Sequence, residues 1–356
     1  MTNFYKIIRP LLFCLNAETS HNLSISILKH NLLPRKKIIN YKSLNNTIFN
    51  INFTNPIGLA AGYDKNAEIF NELNNYSFGF IECGTVTPKA QKGNSKPRLF
   101  RLTKDRAIIN RMGFNNKGID CFTKNIAHKK NFQQIIGSNI GKNKDTKNEI
   151  DDYLICLEKT YNFSSYITIN ISSPNTKNLR NLQKADQLAV FLKQIMQKKA
   201  TLQQTYNKKI PILLKIAPDL NIAEIKEIAQ ITLKEKIDGV IISNTTIDRD
   251  LNLKSDLKQE SGGLSGKPLF DKSNQILSLF YQETKGKIPI IGVGGIENAQ
   301  DIYQKMRLGA SLVQIYSSLI YNGIYIVEKI KKELDYIIKR DGFKNVEEII
   351  GIDNKI

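Results

Sequence analysis

Tyr166-Ile167-Thr168-Ile169-Asn170-Ile171-Ser172-Ser173-Pro174-Asn175-Thr176 joins a short apolar run to a cluster of carboxamides and hydroxyls. A strand of this kind points into a core, so polar groups at its C-terminal end line whatever crevice opens there. Pro174 can continue neither a helix nor a central ladder, and it sets the bend. Asn donates and accepts at once, which suits the edge of a planar heterocycle carrying both N–H and C=O groups. Taken alone, the segment reads equally well as an Asn/Ser/Pro turn with Asx hydrogen bonds.

The same unit recurs. Short apolar runs ending in Gly, Asn, Ser or Lys occupy Pro56 to Ala61, Phe78 to Cys83, Ile135 to Ile140, Tyr166 to Ile171, Pro211 to Ile216, Gly239 to Ser243, Pro289 to Val293 and Leu312 to Tyr316. Helix-period stretches lie between several of them, such as Leu188, Phe191, Leu192, Ile195 and Met196, or Ile222, Ile225, Ile228 and Ala229. Strands alternating with helices imply right-handed βαβ units. Eight of them suit a closed (β/α)8 TIM barrel, with a doubly wound open sheet as the alternative. Two connections exceed a minimal unit, Thr85 to about Phe132 and Thr245 to about Asp271. Long loops after strand ends are expected to cover the active face.

The chain has 356 residues, with 41% hydrophobic residues and a net charge of +19 from 52 Lys and Arg against 33 Asp and Glu. That length accommodates one barrel with an appendage. The basic excess suits nucleic acid, an anionic membrane surface or anionic substrates. No Lys/Arg block is interleaved with aromatics, so nucleic-acid binding is not expected. Cys14, Cys83, Cys121 and Cys156 are scattered without metal or disulfide spacing, which indicates a reducing compartment and no zinc site. The three histidines, His21, His30 and His128, stand away from the polar strand ends, and histidine-based catalysis is not expected.

Residues 1–40 differ in character from the rest. Tyr5, Ile8 and Leu12, with Leu11 and Leu15 beside them, then Leu23, Ile27 and Leu28, recur at helical spacing before Pro34-Arg35-Lys36-Lys37 breaks the pattern. Two short amphipathic helices follow from this, which either pack on the barrel or rest on a membrane with Arg9, Arg35, Lys36 and Lys37 near lipid phosphates. No run of eighteen apolar residues occurs, and the N-terminus has no signal-peptide cleavage pattern. The barrel is expected over residues 41–340 and a tail over 341–356.

Polar residues converge at the strand ends: Ala61-Gly62-Tyr63-Asp64-Lys65-Asn66, Thr85, Asn139, Asn170 with Ser173, Lys215, and Ser243-Asn244-Thr245. The seventh and eighth runs end in Gly292-Val293-Gly294-Gly295 and Tyr316-Ser317. Those are the loops where barrels bind phosphate through backbone N–H groups. A phosphate grip, two lysines and several carboxamides, without a metal cluster or histidine, suit a cofactor that brings its own reactivity. Flavin mononucleotide (FMN) fits, and Lys215 is the better placed of the lysines to favour negative charge on its ring.

Ala61 to Lys65, Pro97-Arg98-Leu99-Phe100-Arg101-Leu102, Asn110-Arg111-Met112-Gly113-Phe114-Asn115-Asn116, Asn139 to Lys144, the Asn170 heptad, Lys215-Ile216-Ala217-Pro218-Asp219, Ser243 to Thr246, Gly262-Gly263-Leu264-Ser265-Gly266 and Gly292 to Ile296 together resemble the dihydroorotate dehydrogenases over almost the whole chain. Ser173 stands where the soluble class 1 enzymes carry Cys, and the N-terminal extension is similar to class 2, the quinone-dependent, membrane-associated flavoproteins. The resemblance implies oxidation of dihydroorotate to orotate in de novo pyrimidine biosynthesis. Ser173 would take the C5 proton while the C6 hydride passes to FMN and electrons go on to membrane quinone.

By the same resemblance, Lys65, Asn110, Arg111, Met112, Gly113, Phe114, Asn170, Asn175, Asn244 and Thr245 would surround the substrate. Ala61, Gly62, Tyr63, Asp64, Lys65, Thr85, Asn139, Asn170, Lys215, Ser243, Gly266, Gly295, Tyr316 and Ser317 would hold FMN. Arg101 would lie toward the quinone pocket with His21, whose other reading is an exposed helix histidine. Position 243 is often Thr in relatives and is Ser here. Serine is a weak base at neutral pH and needs help to lose its proton. Thr176 is the expected relay partner and Phe114 the shield. The resemblance further implies a peripheral protein on the cytoplasmic face of the cell membrane, touching anionic lipid and needing no obligate protein partner. Its rivals are a class 1 type dehydrogenase with a soluble acceptor, and a silent flavoprotein or membrane adaptor that keeps the fold.

Overall fold

The computed structural model describes residues 4–131 and 133–354. Residues 1–3 of the expected N-terminal segment, 355–356 of the expected tail, and Phe132, where the first long connection was placed to end, lie outside them. Helices α1 (Phe4–Cys14) and α2 (Ala17–Lys29) precede a hairpin of β1 (Asn46–Ile48) and β2 (Ile51–Phe53). The eight apolar runs form parallel strands β3 (Ile57–Leu59), β4 (Phe80–Val86), β7 (Ile136–Ile140), β8 (Tyr166–Asn170), β9 (Ile212–Ile216), β10 (Gly239–Ile242), β12 (Ile290–Val293) and β13 (Ala310–Ile315). Three further strands, β5 (Leu99–Leu102), β6 (Ala107–Asn110) and β11 (Gly263–Gly266), lie in the two long connections.

The eight parallel strands follow one another in chain order and close when β13 pairs with β3, Val313 opposite Ile57 and Ile315 opposite Leu59. This is the (β/α)8 barrel; the open-sheet alternative is set aside by that closing ladder. Helices at Ile119–Ala127, Glu149–Tyr161, Ala185–Tyr206, Ile222–Lys234, Phe270–Thr284, Ala299–Arg307 and Ile326–Arg340 surround it. Both faces of each strand are covered, so β7, β8 and β9 are buried at every position. Local chemistry starts the helices: Asn221 with Glu224, and Asn298 with Asp301, form reciprocal capping boxes at two of them.

The lower end of the barrel is plugged by the hairpin. Phe53 meets the edge of Phe80 at 5.4 Å, and Phe80 meets Tyr166 at 6.2 Å, in an apolar cluster with Leu213, Ile241, Ile291 and Leu312. Over the upper end, β5, β6 and β11 form an antiparallel sheet in which Asn110 lies opposite both Leu99 and Gly263. The two long connections thus cover the mouth as structured strands. Beyond the helix ending at Arg340, Val346 and Ile349 are buried in the main core.

Helices α1 and α2 are held against the barrel by specific bonds. Arg98 grips Glu18 with two N–H groups, at 2.6 and 3.1 Å. Arg101 donates to the carbonyls of Leu12, Phe13 and Leu15, satisfying the C-terminal end of α1. Tyr5 donates to the Ile320 carbonyl at 2.6 Å and Arg9 to that of Tyr321 at 2.8 Å. The outer side of α1 remains apolar, with Ile7 and Leu11 exposed by 63% and 73%, and Leu32, just beyond α2, is exposed by 68%. No helix among the described residues is long and apolar enough to cross a membrane.

The Arg98 fork, opposed by partial burial, holds the Glu18 carboxyl below its ordinary value of 4.5. A carboxyl lowered in the folded state stabilises docking above its unfolded value, and that contribution is lost as pH falls through the folded one. The connection at 31–40 should therefore be cut faster by an acid-active protease as pH drops below about 4.5. Arg98→Ala should be cut faster there at neutral pH by a protease active at that pH, since the two-bond fork is lost and Glu18 keeps only Lys96, at 3.8 Å.

Candidate active site

The polar strand ends meet in one cavity at the barrel mouth, of about 1290 Å³ counted out to its opening. Ala61, Gly62, Lys65, Thr85, Asn110, Met112, Gly113, Phe114, Asn170, Ser173, Asn175, Lys215, Ser243, Asn244, Thr245, Gly266, Gly295, Tyr316 and Ser317 all line it. So does His21, carried in by α2.

Ser173 is buried, and its Oγ accepts from the Asn175 backbone N–H at 3.3 Å. That bond favours negative charge on the oxygen, the direction a base requires. Thr176, the expected relay, is buried but is not among the residues lining the cavity. Phe114 does line it, held at φ 52°. The carboxamides form two pairs: Asn175 donates to Asn110 Oδ1 at 3.2 Å, and Asn244 donates to Asn170 Oδ1 at 3.2 Å.

Two lysines face this space, Lys215 buried and Lys65 half-buried. Burial pushes Lys65 down to about 8 and lowers Lys215 as well, the latter opposed by the charge of Glu82. A dry ammonium gains most by meeting an anion. At the far side Gly294 and Gly295 have φ of 119° and 75°. A Cβ on Gly295 would run into Phe270, so only Gly leaves its amide open there. The hydroxyls of Ser265 and Ser317 lie 2.9 Å apart on the same wall. A bare-backbone loop with hydroxyls opposite it fits a phosphate, and the dry lysine fits an electron-rich ring.

Four expected ligands stand off the wall. Asp64 is turned inward, accepting the backbone N–H groups of Glu68 and Ile69 at 2.7 and 2.9 Å, and so shapes the loop. Arg111 pairs with Glu260 at 2.6 Å and stacks over Phe100. Asn139 lies beneath the cavity, between Glu82 and Thr85. Tyr63 faces the other way, into a second cavity. Residues missed from the sequence include Ser265 and Gln314, both on the wall. A signal for Gln314 was present: a polar residue inside an apolar strand has to be satisfied or used.

The second cavity, about 1170 Å³, lies between α1, α2 and the barrel. Its lining is mainly apolar, with Tyr5, Ile8, Leu12, Ile27, Leu28 and Leu319, and Arg101 adds a cation. His21, Leu99, Ile108 and Tyr316 line both cavities, so one wall separates them. His21 is therefore not an exposed helix histidine. It meets Tyr63 edge-on at 5.2 Å, and burial, then the Lys65 charge, hold its imidazole well below the usual range. Tyr63 in turn bonds Ser24 at 2.9 Å and meets Tyr316 at 6.0 Å. The basic residues expected at lipid divide: Arg9 is half-buried against Tyr321, whereas Arg35, Lys36 and Lys37 are exposed.

The family model described as Dihydroorotate dehydrogenase matches residues 43–338. The chain belongs to the dihydroorotate dehydrogenase family. A protein of Acinetobacter baumannii named Dihydroorotate dehydrogenase (quinone) is 49% identical over 329 residues, spanning 91% of this chain and 98% of that protein. One of the same name from Idiomarina loihiensis is 48% identical, over 93% of this chain and 100% of its own. The crystal structure of an Eimeria tenella dihydroorotate dehydrogenase in complex with ferulenol superposes with TM-score 0.93 at 38% identity, covering 98% of this chain and 99% of that one. Membership of the dihydroorotate dehydrogenase family thus extends over the barrel, and the solved structure, matching 98% of the chain, takes in most of the N-terminal helices as well.

Proposed function

We propose that this protein oxidises dihydroorotate to orotate, with FMN as the bound cofactor and a membrane quinone as final acceptor. The observation that carries the reading is the pair of cavities with one shared wall, a polar one around Ser173 and an apolar one under α1 and α2. Separate spaces for a polar donor and a greasy acceptor suit a redox enzyme that works in two half-reactions. The similar proteins named as quinone enzymes support the choice of acceptor. Ser173, where class 1 enzymes have Cys, speaks against the soluble-acceptor alternative.

FMN, when bound, supplies the two-electron acceptor. The chain's own residues do the remainder. Gly266, Gly295, Tyr316 and Ser317 would hold its phosphate end, and Thr85, Asn170, Lys215 and Ser243 its ring, with Asn139 supporting from below. Lys65 offers its ammonium to the substrate carboxylate, while Asn110, Asn175, Asn244 and Thr245 present donors and acceptors to the pyrimidine edge. Ser173 Oγ takes the proton from C5, and the Asn175 N–H stabilises that oxygen. Phe114 excludes water.

The apolar outer side of α1 and Leu32 beyond α2, with Arg35, Lys36 and Lys37, would rest on anionic lipid at the cytoplasmic face of the cell membrane. No nucleic acid or obligate protein partner is part of this reading. The deciding experiment is anaerobic: dihydroorotate should bleach the yellow protein, and quinone should restore the colour faster than fumarate or NAD. Bleaching without reoxidation by quinone would move the protein to the soluble-acceptor class. Absence of bleaching would leave a silent flavoprotein.

Lys215 gives a separate check. Removing a buried charge-assisted contact costs about 1.5–3 kcal/mol, about 30–60 mV for a two-electron couple. Lys215→Ala should lose flavin on gel filtration and lower the midpoint potential of the flavin it keeps by that amount. An unchanged potential would remove Lys215 from the ring.

A further inference from the structure

Glu82, on β4, is fully buried inside the barrel beneath the cavity, and beyond the charge it sets near Lys215 its hydrogen bonds have not been accounted for. Four donors converge on its carboxylate: Asn139 Nδ2 at 2.7 Å, Gln314 Nε2 at 2.8 Å, and the hydroxyls of Tyr166 and Thr168, each at 3.1 Å. A carboxylate has no hydrogen to give, so every neighbour must turn a donor toward it. For a hydroxyl this is a free rotation. For a carboxamide it settles which end faces the other way.

The consequence propagates upward. Asn139, with its NH2 committed to Glu82, presents Oδ1 to Thr85 Oγ1 at 2.5 Å and to Asn170 Nδ2 at 3.1 Å. Asn170, with its NH2 pointing down, presents Oδ1 to Asn244 Nδ2 at 3.2 Å. Asn244 then holds its own Oδ1 on the Thr245 N–H at 2.8 Å. Gln314 follows the same logic independently. Its NH2 is on Glu82, and its Oε1 is left buried with no partner among the described residues, on a side chain that lines the cavity.

We infer that Glu82 is a positioning residue that sets the direction of the Asn139–Asn170–Asn244 chain and of Gln314, and thereby the donor and acceptor pattern the ligands meet. The inference rests on the proposed function for the identity of the ligand and on the hydrogen bonds alone for the direction. Glu82→Gln changes shape little but adds a donor where only an acceptor stood, so a carboxamide must either flip or face donor to donor. Glu82→Gln with Asn139→Asp moves the acceptor-only group one step up the same chain. The new carboxamide on β4 can then donate to the new carboxylate on β7, and that carboxylate still accepts from Thr85 and Asn170.

The test is orotate binding to the flavin-loaded protein, read from the flavin absorbance, with flavin dissociation measured in parallel. Glu82→Gln should weaken orotate by about 10- to 100-fold, the worth of one or two mispaired buried groups. The double variant should return to within about threefold of the parent. Parental affinity in Glu82→Gln, or a double variant no better than the single one, would overturn the inference. If only the double variant folds, direction and not packing is the requirement; if neither folds, Glu82 serves packing and the inference fails. Parental protein that does not bind orotate would instead sink the functional reading, and the same order of variants in flavin dissociation then decides the role of Glu82.

Discussion

Ser173→Ala will keep its flavin and be reduced by dihydroorotate about 10²- to 10⁴-fold more slowly than the parent, the usual worth of a positioned base. The cofactor grip comes from other residues, so bleaching slows without loss of colour. Ser173 Oγ lies in the buried cavity with one backbone N–H, from Asn175, on it. That N–H stabilises the deprotonated oxygen but cannot carry a proton away. His21, the one histidine on this cavity, is held neutral by burial and by the Lys65 charge, and reaches it from the α2 side. With Thr176 off the wall, the proton must leave toward the cavity itself. The ratio of parent to variant rate should therefore rise with pH, since only the parent has a hydroxyl to deprotonate, whereas loss of the Lys65 ammonium above about 8 slows both alike. Stopped-flow reduction of the variant at parental rate would remove Ser173 from the mechanism.

Deleting residues up to Lys37 should abolish turnover with a long-tailed quinone, by about 10²-fold or more, while dihydroorotate still reduces the flavin at close to the parental rate. Ser173, Lys65, Lys215 and the four carboxamides all come from the barrel and its loops, and they remain. What disappears is one wall of the second cavity, Tyr5, Ile8, Leu12, Ile27 and Leu28, and from the first cavity only His21, to which the proposed chemistry gives no step. Binding to anionic vesicles should fall as well, because Ile7, Leu11 and Leu32 offer about 1.5–3 kcal/mol each on full burial and Arg35 to Lys37 supply the charge. The competing view treats α1 and α2 as packing alone. It expects low solubility and slow reduction by substrate, since Tyr63, Tyr316 and Leu319 would be uncovered. A folded truncation that turns over long-tailed quinone at parental rate would refute the access role.

The barrel was legible because each of its strands is short, apolar and ended by a polar group, and such a pattern survives in any local window. Asn170, Lys215 and Asn244 could be assigned to a common mouth for the same reason: parallel strands of one sheet end on one side. The strands over the mouth were not legible. Asn110 pairs with Gly263 across 153 positions of sequence, and neither segment carries a strong alternating pattern, so they read as long loops. The hairpin that plugs the barrel was hidden likewise, in two three-residue strands around Phe49 and Asn50.

By itself, the sequence determined the number and order of the barrel strands, the end at which polar groups gather, and the amphipathic character of residues 1–40. These depend on residue type and period along the chain, which folding does not alter. Only the tertiary structure decided that His21 is buried between two cavities, that Tyr63 faces the apolar one, and that Asn139 works from beneath the wall. Their orientation is set by partners far away in sequence: His21 by Tyr63, Tyr63 by Ser24 and Tyr316, and Asn139 by Glu82, 57 positions before it. A side chain's direction is fixed by what packs and bonds against it, and that is a property of closed long-range contacts, not of local pattern.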